Sequence, residues 1–207
     1  LHSRDSALKI GTETHGTIRN VTLSDCIIDR CSRAVGIWVR DGGTVEDIHI
    51  HHLTGSTLRY ADRYAEPGAP GWWGKGEPIF ISATPRKNSR TKTGTIRNVT
   101  FDNLSITCES CAFLAGEPES CLRDIRIRDL HMTFKRQGTQ PGGLFDEQPS
   151  VRHVYSHAIP ALYARNVKQL TVQDSTVRYA DKSEAWASEV TTLEDCTESA
   201  VDLKKIQ

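Results

Sequence analysis

Apolar and polar positions alternate along this chain in short bursts, and the bursts repeat. Residues 95–107 read T-I-R-N-V-T-F-D-N-L-S-I-T, with Ile96, Val99, Phe101, Leu104 and Ile106 apolar and polar residues between them. Residues 17–29 open with the same T-I-R-N-V-T and continue L-S-D-C-I-I-D. Copies start at Ile18, Val45, Ile96, Leu122 and Val167, at spacings of 27, 51, 26 and 45 residues. Near copies within one chain mark a repeat architecture.

Within each copy the third position is Asn20, Asp47, Asn98, Asp124 or Gln169, and the eighth is Asp25, His52, Asn103, Asp129 or Asp174. Such side chains turn corners and hydrogen-bond along a stack, a role that would hold Asn20 and Asn98 inside. A second apolar run precedes each copy, as in Val35-Gly36-Ile37-Trp38-Val39 and Ile79-Phe80-Ile81. Each repeat therefore offers two or three short strands rich in β-branched residues and broken by Gly, Asn or Asp. Helical periodicity is nearly absent. Leucine-rich repeats have shorter periods and propeller blades longer ones, so the pattern predicts an all-β parallel β-helix. Stacked coils need capped ends. The chain starts just before a strand with no cap, which implies further coils upstream. Coils are expected over residues 1–180, with a cap or frayed tail over 181–207.

Two insertions interrupt the pattern, at residues 57–78 and 135–160. Loops of that length in a compact array are more often functional or disordered than filler. Composition changes this picture little. Hydrophobic residues make up 37% and charged residues 25%, and 26 basic residues balance 26 acidic ones. No net field draws the chain to nucleic acid or to an anionic membrane, and no apolar run is long enough for a spanning helix. Six cysteines are too few for a disulfide scaffold, leaving buried thiols or one or two bridges. Cys108-Glu-Ser-Cys111 has the spacing of a redox or zinc half-site without a second half. His49 and His51 share a strand face with no evident third metal ligand, so no metal site is assigned. The Asn-x-Ser/Thr sequons at Asn20, Asn98 and Asn103 are by-products of the repeat.

Residues 5–26, D-S-A-L-K-I-G-T-E-T-H-G-T-I-R-N-V-T-L-S-D-C, resemble the second half of the catalytic region of glycoside hydrolase family 28. Residues 36–48 (G-I-W-V-R-D-G-G-T-V-E-D-I) and 76–82 (G-E-P-I-F-I-S) are similar to later coils of that family. Its members are polygalacturonases and their relatives, right-handed, single-stranded parallel β-helices of the pectin-lyase-like type that hydrolyse pectin. The resemblance implies the C-terminal portion of such an enzyme, truncated on its N-terminal side, secreted or periplasmic, monomeric and free of cofactors. It also implies which residues are missing. The family's paired aspartates lie upstream of the matched region. Ser6 stands at the family's histidine position, Gly36 at its arginine and Trp38 at its lysine. None of the family's catalytic residues is matched.

Inverting hydrolysis needs two carboxyl groups about 6.5–9.5 Å apart. Asp5 lies at the strand rim, and Asp41 and Glu77 are the candidates to reach it from later coils. If Leu8, Ile10 and Ile37 point inward, Lys9 and Trp38 point outward, and a cleft over these strands offers a sugar site. There Lys9 or Arg40 pairs with a uronate carboxylate, and Trp38 stacks on a pyranose face. Trp72, Trp73 and Lys75, in the Gly- and Pro-rich insertion, complete the expected binding set. The expected function is hydrolysis of pectin-type acidic polysaccharide. The alternative is a non-catalytic β-helix that binds carbohydrate or serves as a structural spine.

Overall fold

The structure, a computed structural model, describes residues 1–60, 74–87 and 91–207. In chain order the strands are β1 (Ser6–Ile10), β2 (Thr17–Cys31), β3 (Arg33–Val39), β4 (Thr44–Thr57), β5 (Glu77–Ala83), β6 (Thr95–Cys108) and β7 (Ala112–Ala115). They continue as β8 (Leu122–Phe134), β9 (Leu144–Asp146), β10 (Val154–Ser156), β11 (Leu162–Arg165), β12 (Val167–Tyr179), β13 (Thr191–Glu194) and β14 (Ala200–Ile206). One short 3-10 turn covers Pro118–Ser120. The architecture is all-β.

Two six-stranded sheets dominate. One runs β1-β3-β5-β7-β11-β13 and the other β2-β4-β6-β8-β12-β14. Every pairing within them is parallel. The chain thus crosses from the first sheet to the second and back, and each pass lays a strand beside the one before. β9 and β10 form a separate antiparallel pair.

The repeat copies stack in register. Val21 pairs with Ile48, Ile48 with Val99, Val99 with Ile125 and Ile125 with Leu170. Leu23, Ile50, Phe101, Ile127 and Val172 form the next column. Inward residues such as Ile96, Val99, Phe101, Leu104 and Ile106 are spaced three, two, three and two apart, where a plain strand would demand two throughout. The third and eighth positions of each copy supply the extra residue. Asn20, Asp47, Asn98, Asp124 and Gln169, and Asp25, His52, Asn103, Asp129 and Asp174, all adopt φ of 50–62°. That left-handed conformation is tolerated best by Asn and Asp, and one such residue resets the phase of the strand. These columns sit on the outside. Asn20 is exposed and Asn98 half-exposed, and Asn98 Nδ2 donates to Asp47 Oδ1 at 2.6 Å. The expected interior ladder is therefore an exterior one, because the backbone bend and not the side chain makes the corner.

Residues 181–207, expected as a cap or tail, carry β13 and β14, which extend both sheets by one strand. The insertion at 135–160 carries β9 and β10. Phe145, Asp146 and Glu147 there are buried and cover the outer face of the first sheet. The inner strands of that sheet are enclosed on both faces, so β3 and β5 are buried at every residue.

Candidate functional site

The outer face of the first sheet is built around a column of rings. In register, Lys9 lies beside Gly36, Gly36 beside Phe80, Phe80 beside Phe113 and Phe113 beside Tyr163. The Gly36 step has no side chain of its own. The Trp38 ring folds back over it, so that a Cβ on Gly36 would lie 2.2–2.3 Å from two indole carbons. The rings then stack without a gap, at 5.0 Å between Trp38 and Phe80, 5.0 Å between Phe80 and Phe113, and 5.3 Å between Phe113 and Tyr163. Phe145 packs on Phe113 and Tyr163 from the covering pair.

Lys9 ends this column. Its ammonium stands 5.1 Å from the centre of the Trp38 ring and 3.0 Å from Asp5 Oδ2. The Lys9 and Asp5 side chains keep 34% and 43% of their surface exposed. Burial raises the Asp5 pKa, but the hydrogen bond and charge of Lys9, with the Ser6 backbone N–H, outweigh it and leave the carboxyl below its ordinary range.

The other expected site residues lie elsewhere. Trp38 is 2% exposed and offers no face to a sugar, since Lys9, Phe80 and the Arg33 guanidinium occupy its surroundings. Its indole N–H is buried without an acceptor among the described residues. Arg40 is fully buried and faces no ligand. It donates to the carbonyl oxygens of Ser82 (2.7 Å), Pro149 (2.9 Å) and Glu147 (2.9 Å), fastening the covering loop to the sheet. Burial lowers its pKa to about 9. Glu77 is also buried. Its Oε2 accepts from the Lys75 backbone N–H at 2.7 Å and lies 3.3 Å from Arg33 Nε. Lys75 is 2% exposed, with its ammonium 3.7 Å from Asp146 Oδ2. Asp41 is clamped by Arg86, at 2.7 and 3.0 Å. Trp72 and Trp73 lie outside the described residues. The structure thus brings together Asp5, Lys9 and Trp38, turns Arg40, Lys75 and Glu77 into internal ties, and engages Asp41 with a surface arginine.

A second charged group went unread in the sequence. Glu147, wholly buried, receives Arg165 at 3.0 and 3.2 Å and the Tyr155 hydroxyl at 2.8 Å. Arg165 also approaches Glu117 at 3.4 Å, and Arg152 binds Glu117 through both Nε and Nη2, at 2.7 and 2.9 Å. A cavity of about 350 Å³ opens beside it, lined by Pro85, Glu117, Glu119, Val151, Arg152 and Tyr155. Only the run Asp146-Glu147-Gln148, acidic within a Gly- and Pro-rich loop, hinted that the insertion carried a buried charge.

His49, His51 and His52 form a contiguous cluster, with ring centres 4.5 and 4.7 Å apart. Among the described residues no group of three or more His, Cys, Asp or Glu is arranged to hold a metal ion. All six cysteines are free, and burial raises the pKa of the Cys108 and Cys111 thiols, which sit in the core.

No protein-family model matches this chain, and neither a curated protein nor a solved structure matches it.

Proposed function

We propose that the chain is a right-handed parallel β-helix of the polygalacturonase type and that it binds acidic, pectin-type polysaccharide through Lys9. The observation that carries this reading is the placement of Lys9. Its ammonium lies over the Trp38 ring, its side chain is part-exposed, and among the described residues its one acidic partner is the part-exposed Asp5. A surface pair of this kind contributes about 0–1 kcal/mol, so an incoming uronate carboxylate replaces Asp5 at little cost. The resemblance of residues 5–26, 36–48 and 76–82 to glycoside hydrolase family 28 supplies the sugar class.

Within this reading the chain holds the polysaccharide and does not cut it. Hydrolysis needs one carboxyl group able to give a proton and another free to activate water. Asp5 is held ionised by Lys9, Asp41 is clamped by Arg86, and Glu77 is buried against Arg33. Those three ties favour the non-catalytic member of the two expected functions. Affinity electrophoresis through polygalacturonate, run beside an assay of reducing-sugar release, tests the proposal. Retardation without sugar release is expected. Release of reducing ends by the chain would overturn it and return Asp5 and Asp41 to consideration as catalysts.

A further inference from the structure

At the far end of the second sheet the inward column Ile106, Met132, Val177 finishes on Lys205, a charged residue where every preceding strand has an apolar one or glycine. The Lys205 ammonium turns back over the ring of Tyr179, 4.9 Å from its centre. Tyr179 in turn packs at 5.8 Å from Trp186, and both rings rest on buried Phe134, at 5.0 and 5.2 Å. Tyr179 and Trp186 are half-buried, leaving aromatic surface on display. The Tyr179 hydroxyl is buried, with no hydrogen-bond partner among the described residues, so the ring, and not the polar tip, is what this side chain presents.

A hollow of about 520 Å³ lies against these rings, lined by Tyr179, Asp181, Lys182, Lys205, Ile206 and Gln207, and a smaller one of about 180 Å³ joins it to Trp186. Lys182 and Lys205 are exposed, and neither has a carboxylate within ion-pairing distance among the described residues. Asp181, the one acidic side chain in the lining, accepts from the Arg136 backbone N–H through Oδ2 at 2.7 Å. Flat apolar surface beside two uncompensated ammonium groups suits a ligand with an apolar face and a carboxylate.

We propose that this hollow is a second saccharide site, taking a uronate with its ring face against Tyr179 and Trp186 and its carboxylate between Lys182 and Lys205. Lys9 and Lys205 lie on the first and last strands of the stack, about five strand spacings or roughly 24 Å apart, so the two sites are separate. The choice of an acidic sugar rests on the function proposed above; the place and the residues do not.

The Trp186 indole N–H, which donates to the Glu109 carbonyl at 3.1 Å, is a reporter built into the site. In ¹⁵N-labelled protein its resonance is identified by its absence from Trp186→Phe. Titration with tetragalacturonate is expected to shift it saturably. Lys182→Ala with Lys205→Ala should weaken that response at least tenfold, while the fully methyl-esterified tetramer should not produce it and Lys9→Ala should leave it intact. A resonance that stays still while binding at Lys9 persists would overturn the second site alone. Silence at both sites would overturn the acidic-sugar reading itself. An equal response to the methyl ester, or a stronger one to single-stranded DNA, would overturn the ligand class.

Discussion

Lys9 and Trp38 meet although the sheet places Lys9 beside Gly36, two residues earlier. The ammonium is 5.1 Å from the indole centre because the indole lies over the glycine. A missing side chain on one strand thus lets a ring two residues away fill the column and support the lysine. Trp38, expected as a sugar platform, is instead buried beneath Lys9.

Filling that space has a definite consequence. Gly36→Ala drives a methyl into the Trp38 ring and should cost about 1–3 kcal/mol, while Trp38→Ala opens a gap and should cost about 3–5 kcal/mol. Because both act on one volume, Gly36→Phe combined with Trp38→Ala should be less destabilising than the two changes added separately. Urea unfolding of the parent, Gly36→Phe, Trp38→Ala and the double variant measures the coupling, and simple additivity would refute the shared site.

Arg40 should behave as a structural tie. Arg40→Ala leaves the carbonyl oxygens of Ser82, Glu147 and Pro149 without this donor and is expected to cost about 3–5 kcal/mol. The folded variant should keep the affinity of the parent for tetragalacturonate. Loss of affinity at unchanged stability would restore Arg40 to the ligand.

Asp146 gives the pH dependence a sign. Burial raises its pKa to about 6 against the opposing pull of Arg33 and Lys75, whereas an aspartate in an unfolded chain titrates near 3.9. The folded protein holds the proton more tightly between those values. Its contribution to stability is therefore full below about pH 4 and falls as pH rises through 6, by about 3 kcal/mol. Asp146→Asn should remove this component. Denaturant curves for both proteins between about pH 4 and pH 7 would contradict the account if their stabilities ran parallel.

The bend columns invite a backbone test. Asn98 has φ of 50°, which glycine adopts freely and a β-branched residue resists. Asn98→Gly should be within about 0.5 kcal/mol of the parent, and Asn98→Val should lose about 1–2 kcal/mol. Thermal unfolding separates the two, and equal midpoints would argue against the bend.

Much of the stack was legible from residue order alone. The copies at Ile18, Val45, Ile96, Leu122 and Val167 mark strands that pair in register, because stacked repeats present the same residue type at the same height. The three-two-three spacing of Ile18, Val21, Leu23 and Cys26 even encodes the bend at Asp25. The site was less legible, for a physical reason. Whether Trp38 and Arg40 face solvent depends on residues far along the chain, with Arg40 taking acceptors 107 and 109 positions away. Local alternation puts a side chain outside a sheet, but it says nothing of a second layer. The insertion at 135–160, whose length hinted at function, is that layer.

The most direct test of the central claim uses the Trp38 indole N–H, buried beneath Lys9 and without an acceptor among the described residues. Tetragalacturonate should shift this resonance saturably in the parent protein, and Lys9→Ala should weaken the response about tenfold, about 1.4 kcal/mol. A response of the same midpoint in both proteins, or none in either, would contradict the claim that Lys9 receives the acidic sugar.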